Sequence, residues 1–470
     1  MNELKLLPSN FKYTTVIYEL QSNLKNKILS IFKSEPVGFL FESFNGNLKT
    51  NRYSFCGIKP FKLLKGYLNY TDIIENGEIY TIQGNPIEIL SNHLQERIVP
   101  HHPEIPFCAG AVGYFGYELL QLFEPKVPIP SFNDINIPLT YWMFFDTIMM
   151  IDKYKNIICI ITNVENDYNW KKSALDKIEK FLEILNHKPK QNNLNYKISK
   201  FYNNITQKQY EDMVIRTKEY ITAGDIFQAN LSIRVQTEFN GSSFGLYNNL
   251  RKINPSPFGG YINFGDFQIV SSSPERLIKK TNKYIQTRPI AGTRRRGKDE
   301  AEDQFFKKEL LLSEKERSEH IMLVDLERND LGRICKYGSV KVDELMVLEQ
   351  YSHVTHIVSN IIGELKEQIK LPQILRATFP GGTITGTPKV RSMQIISELE
   401  PVVRTVYTGS MGYISYSEDF DLNIVIRTIL LKDNMAYVQA GAGIVADSIP
   451  SREYKESLSK AQALLEALKR

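Results

Sequence analysis

Cysteine is scarce in this chain and has no pairing pattern. The four among 470 residues (Cys56, Cys108, Cys159, Cys335) include no CxxC spacing, which argues against a disulfide scaffold and suits buried, reduced thiols in a cytoplasmic protein. Long apolar runs are missing too. The most apolar stretch, YWMFFDTIMMIDKYKNIICIIT, is broken by Asp146 and Asp152, too soon to span a bilayer. It reads as two buried strands with a tight connection. The N-terminal MNELKLLPSNFKY lacks an apolar core of signal-peptide length. Nor does one sign of charge dominate. The 58 basic and 53 acidic residues leave a net charge of +5 and interleave along the chain, unlike the basic face of a general nucleic-acid binder. No 20–50-residue repeat is apparent.

What is present describes a globular protein of two or three domains, or one large one. Short β-like runs (FLFES, RYSFCGI, GAVGYFGYE) fill Leu40 to about Thr162, and the helix WKKSALDKIEKFLEILNH follows. The polar, asparagine-rich NHKPKQNNLNYKISKFYNN is the best linker. It divides the chain into a β-rich region 1–185, a linker 186–205 and a second region 206–470. The second region opens on a helix with Thr206 and Gln209 as a capping box and Tyr210, Met213, Val214, Thr217, Tyr220 and Ile221 on one face. FQANLSIRVQTEF follows as a strand, and the chain ends on an amphipathic helix with Ser451 as N-cap. Strands and helices alternate without the rhythm of a Rossmann fold or barrel.

A repeated acidic spacing is the strongest chemical signal. Glu316 and Glu319 are three residues apart in a helical context, and so are Glu453 and Glu456, which puts each pair on one helix face. Four such carboxylates brought together would repel unless a hard divalent cation such as Mg²⁺ sat among them. Each pair alone also fits a solvated helix start, Glu316 as part of a capping box with Ser313 and Glu453 and Glu456 as acids in a first turn. FPGGTITGTPKVRSMQII puts glycines ahead of a helix with Thr387 as N-cap and Pro388 as N1, and such amides cradle anions. It is not a Walker A loop. QAGAGIVA matches GxGxxA but lacks the helix that a dinucleotide site needs, so it reads as a tight turn exposing amides. In TRPIAGTRRRG three arginines stand beside a small Ala291. They raise the alternatives of a nucleic-acid grip and a surface turn.

These stretches, together with AGDIFQANLS, NPSPF, SSPERL, ERSEHIMLVDLERNDLGR, YSHVTHIVSN, VYTGSMGYI, NIVIRT and EYKES, resemble the chorismate-utilising enzymes, specifically the large aminating subunits of anthranilate synthase and aminodeoxychorismate synthase. The resemblance runs from about Phe39 to the C-terminus. It implies an α+β fold like that of anthranilate synthase component I, with antiparallel β-sheets packed face to face and helices outside. It also implies that Glu319 and Glu456 are the closer Mg²⁺ ligands, with Glu316 and Glu453 in support, and that Lys460 adds positive charge. Arg427 and Tyr407 match residues that hold the enolpyruvyl carboxylate, with Gly382, Thr383, Ala442 and Gly443 completing an anion cradle. His356 matches the histidine near the departing hydroxyl, and Glu275 an active-site glutamate.

Relatives that add water carry a lysine base where Gln228 stands. A neutral glutamine cannot activate water, so ammonia is the expected nucleophile. No GxCxG elbow or Cys/His arrangement for cutting glutamine is visible, so a separate glutamine amidotransferase subunit is expected to supply the ammonia. Ala291 occupies the position of the nucleophilic lysine of PIKGT relatives, which closes the covalent route. Asn230, Asn360 and Thr385 point to 4-amino-4-deoxychorismate, the precursor of 4-aminobenzoate and folate. The alternatives are anthranilate for tryptophan biosynthesis and, more distantly, a non-catalytic protein that binds chorismate or tryptophan. Relatives bind tryptophan near residues matching Ser43 and NPSPF, but Gly259 replaces the usual methionine and argues against feedback inhibition. The arginines then read as a surface turn or a subunit contact, and neither nucleic acid nor membrane is an expected partner.

Overall fold

The structure, a computed structural model, describes residues 3–20, 25–44, 51–186, 193–351 and 354–470. The apolar stretch in the first region forms three strands rather than two. Thr140–Phe145 and Thr147–Asp152 are separate, and Ile157–Glu165 follows. The first belongs to one sheet and the other two to a second sheet. The chain changes sheets at Asp146, whose carboxylate takes Lys177 Nζ at 2.6 Å. A polar residue at that position is what breaks the apolar run into two layers.

Among the described residues one sheet has fourteen strands and the other twelve, joined by antiparallel pairings. The sheets pack face to face through aromatic side chains. Phe55 meets Tyr413 with ring centroids 5.4 Å apart, and Tyr114 meets Phe267 at 6.0 Å. The other face of the larger sheet is covered by helices, including Trp170–Asn186 and Ser243–Ile253. The fold is therefore α+β, as the resemblance implied. Helix Gln207–Thr222 starts on the anticipated capping box of Thr206 and Gln209. Among the described residues no helix is long and apolar enough to cross a membrane.

The regions on either side of residues 186–205 share both sheets. Gly38–Glu42 pairs with Phe258–Asn263, and Gly110–Phe115 with Ser410–Ser415. Within the expected linker, Tyr196–Ile198 and Tyr202–Asn203 pair as short strands with Gln228–Gly241, and 187–192 lie outside the described residues.

Seven elements frame the site. The strands are β1 (Gln228–Gly241), β2 (Ile290–Arg295), β3 (Val354–Glu364) and β4 (Met435–Ile444). The helices are α1 (Glu314–Ile334), α2 (Lys389–Leu399) and α3 (Pro450–Lys469). Three local expectations change here. QAGAGI continues as strand β4, not a turn, because β1 pairs with it from Met435 to Ile444. Helix α2 begins one residue later than expected, with Pro388 at the N-cap. Helix α3 starts at Pro450 behind Ile449, which leaves Ser451 inside the helix, since Pro450 already presets the first helical φ.

Candidate active site

Helices α1 and α3 each carry one of the expected acidic pairs. Glu319 on α1 interacts with Lys460 of α3, and Glu453 on α3 interacts with Lys315 of α1. Burial, then the charge of Glu316, pushes the Glu319 carboxyl up from its usual value. Glu453 is pushed up mainly by burial, with Glu456 adding to it. Glu316 accepts Arg294 Nη1 at 3.0 Å, and Glu456 takes Lys460 Nζ at 3.0 Å. Each pair is thus compensated by basic side chains, and Lys315 and Lys460 act on an acid of both helices. Among the described residues no three His, Cys, Asp or Glu side chains stand close enough to share a metal ion.

Gln228 opens β1, buried, with Nε2 3.3 Å from Glu319 Oε1. Among the described residues its Oε1 has no hydrogen-bond partner, nor does Oδ1 of Asn230 two residues on. The carboxamide lies over Gly443 of β4, where a Cβ would stand 2.2 Å from Nε2. Ala442 and Gly443 pair with Leu231 and Asn230. Gly382 and Thr383 belong to a short 3₁₀ turn, and the Thr383 hydroxyl is directed at the Glu275 carboxyl. Lys460 Nζ donates to Gly441 O at 3.0 Å, and its own carbonyl accepts Arg427 Nη1 at 2.7 Å. Arg427 holds a positive φ of 52°, a strained backbone that functional sites often retain. Tyr407 lies beside it, its phenol pushed far up by burial.

Glu275 is buried and accepts the Ile290 amide at 3.3 Å. Burial raises its carboxyl to about 8, so it carries a proton at neutral pH. His356 on β3 bonds the Thr293 hydroxyl of β2 at 2.9 Å, and burial lowers the ring to about 4, keeping it neutral. It also interacts with Arg427. Ala291 is buried on β2 opposite Ile357. The arginines that follow are not a free surface turn. Arg294 and Arg295 belong to β2, and acids from the next helices meet them: Arg294 bonds Glu309 and Glu316, Arg295 bonds Glu302, and Arg296 bonds Asp303.

One acidic pair was not singled out from the sequence. Glu327 and Asp330 lie on the same helix α1 with the same three-residue spacing, and both are buried. The spacing was the available signal. A separate cavity of about 120 Å³ opens around Ser43, Phe258 and Gly259, in the region that the resemblance associates with tryptophan in relatives. It shares none of the site residues described above.

The profile described as chorismate binding enzyme matches residues 56–466. Anthranilate synthase component 1 of Acetivibrio thermocellus is 43% identical, covering 100% of this chain and 98% of that protein. Aminodeoxychorismate synthase component 1 of Bacillus subtilis is 42% identical over 91% of each. The crystal structure of anthranilate synthase component I from Streptococcus pneumoniae superposes with a TM-score of 0.78 at 36% identity, covering 88% of this chain and 92% of that one. The chain belongs to the chorismate-binding enzymes.

Proposed function

We propose that this chorismate-binding enzyme adds ammonia to chorismate to give 4-amino-4-deoxychorismate, and that a separate glutamine amidotransferase supplies the ammonia. The observation that carries the reading is Gln228. A neutral amide, bonded to Glu319 and with its own oxygen unpartnered among the described residues, occupies the position that the family resemblance gives to a water-activating base. It offers an acceptor to the N–H groups of ammonia and takes no proton.

The donor chemistry fits a magnesium ion. Glu319 and Glu456, supported by Glu316 and Glu453, are hard oxygen donors, and crowding and burial raise Glu319 and Glu453. A bound ion would supply positive charge for a substrate carboxylate. Arg427 and Tyr407 would grip the second carboxylate, with amides of Gly382, Thr383, Ala442 and Gly443 around it. Glu275 carries a proton to deliver, whereas His356, neutral at pH 7, would position the leaving oxygen through a hydrogen bond.

The chain's own cysteines support the need for a partner. All four are buried, and burial drives the thiols up to about 12, or about 11 for Cys335. Such thiols stay protonated and make poor nucleophiles for glutamine hydrolysis. The relatives' component 1 designations accord with a second component.

Anthranilate is the second reading. Ala291 offers no nucleophile, and a 43% identical relative is an anthranilate synthase component. The aminodeoxychorismate reading draws on Asn230 and Thr385, whose main chains are joined by the Asn230 backbone N–H donating to Thr385 O at 2.8 Å. Asn360 is engaged elsewhere, by Asp343 at 2.7 Å. Chorismate, Mg²⁺ and ammonium salts, incubated with and without a lyase that cleaves 4-amino-4-deoxychorismate, separate the two products. 4-Aminobenzoate only when the lyase is present is the expected result. Anthranilate without the lyase would overturn the choice.

A further inference from the structure

A buried ion pair lies between helix α2 and the segment that carries Tyr407. Glu400 caps the C-terminal end of α2 and Arg404 follows four residues on, their side chains only 3% and 2% exposed. Arg404 Nε donates to Glu400 Oε2 at 2.8 Å, and Nη2 donates to Oε1 at 2.6 Å. Taking two charges out of water is costly, and a pair that only neutralises itself repays that cost poorly. The other donors of this guanidinium reach further. Nη2 also donates to Asn230 O of β1 at 2.6 Å. Nη1 donates to Ile384 O, at the end of the glycine turn, at 3.3 Å and to Thr408 Oγ1 at 3.2 Å. The five N–H groups of the fork thus have five bonds, three of them to segments that carry site residues.

The bonds close into a frame. Asn230 N donates to Thr385 O at 2.8 Å, so β1 and the glycine turn are bonded to each other as well as to the guanidinium. Glu400 Oε1 accepts both the Ser232 N–H and its hydroxyl at 2.8 Å, which fixes the same strand two residues further along. The Thr408 hydroxyl, having accepted Arg404, donates to Tyr407 O at 2.6 Å. The guanidinium carbon also stands 5.5 Å from the centroid of the Tyr407 ring, within cation–π reach. A lysine ammonium has three donors and no planar fork, so it cannot reproduce this set.

We propose that Arg404, paired with Glu400, is a positioning residue that sets Tyr407 and the Gly382–Ile384 turn relative to β1, and thereby the grip on a substrate carboxylate. This rests on the reading that Tyr407 and the turn bind chorismate. The carboxylate held there makes no bond during the amination. Loosening its grip weakens ground and transition states alike, which appears in KM rather than in kcat.

The test compares Arg404→Lys with Thr408→Val by steady-state kinetics on chorismate with Mg²⁺ and ammonium ion. Thr408→Val keeps the shape and the ion pair but cuts the hydroxyl link from Arg404 to Tyr407, and it decides alone if Arg404→Lys does not fold. The chorismate KM is expected to rise about tenfold in each variant, with kcat within about threefold. A purely structural role would lower the amount of folded protein, so that kcat falls at an unchanged KM. An unchanged chorismate KM in Thr408→Val, or in a folded Arg404→Lys, would overturn the proposal. A second readout needs no turnover: the NMR resonance of the Tyr407 ring in protein carrying isotope-labelled tyrosine, assigned by its loss in Tyr407→Phe. It should shift or broaden in Thr408→Val as in Arg404→Lys, and an unmoved resonance would overturn the proposal even if chorismate proved not to be the substrate. Failure of the wild-type protein to consume chorismate would instead count against the proposed function.

Discussion

Gln228 can lie over β4 only because position 443 is glycine, and that contact sets what stands beside Glu319. In Gly443→Ala the new Cβ would sit 2.2 Å from Gln228 Nε2, so the amide must move within a packed layer. Ammonia-dependent kcat/KM is expected to fall on the order of 10²-fold, with a stability loss of about 1–3 kcal/mol. Steady-state kinetics beside a thermal melt check both, and unchanged kinetics would mean the amide has no such role. His356 makes a second case. With its ring held at about 4, kcat/KM should show no limb near pH 6.5 that His356→Asn removes. Such a limb would show that the imidazole titrates during turnover. The residue types at these positions were legible in the sequence. The neutrality of His356 and the proton on Glu275 were not, because both come from burial between layers that local sequence does not report.

The 3₁₀ turn Tyr117–Leu122 carries a buried carboxyl into the support of β1. Glu118 accepts the amides of Arg404 and Thr405 at 2.6 and 3.0 Å, and Arg404 Nη2 in turn donates to Asn230 O at 2.6 Å. Burial raises Glu118 to about 7. A folded pKa above the unfolded value contributes stability that is complete below about pH 4.5 and is lost as pH rises through 7. The stability of the wild type relative to Glu118→Gln should therefore fall by roughly 2 kcal/mol between pH 5 and 8. Denaturant melts at the two pH values test this, and a constant difference would refute it. Element identity was readable wherever periodicity was strong, as in Gln207–Thr222 with its capping box. It failed where pairing overrode local cues. The glycines of QAGAGI suggested a turn, but β1 draws them into β4, and the small residues leave room for Gln228 and Asn230.

Across the whole molecule, the two acidic pairs are more than 130 positions apart in sequence and lie on separate helices, α1 and α3. No spacing rule relates the two pairs; their joint role comes only from the family resemblance. The same architecture leaves all four thiols buried, so the isolated chain is expected to use ammonium ion and to leave glutamine untouched until an amidotransferase is added. Release of glutamate by the chain alone would contradict that. The most direct measurement is chorismate consumption by the purified chain with ammonium ion and Mg²⁺, before and after chelation and in a Glu319→Gln, Glu456→Gln double variant. Turnover should be lost on chelation, return with added Mg²⁺, and stay absent in the double variant. Undiminished turnover in either arm would contradict an acid-held metal at the centre of the site.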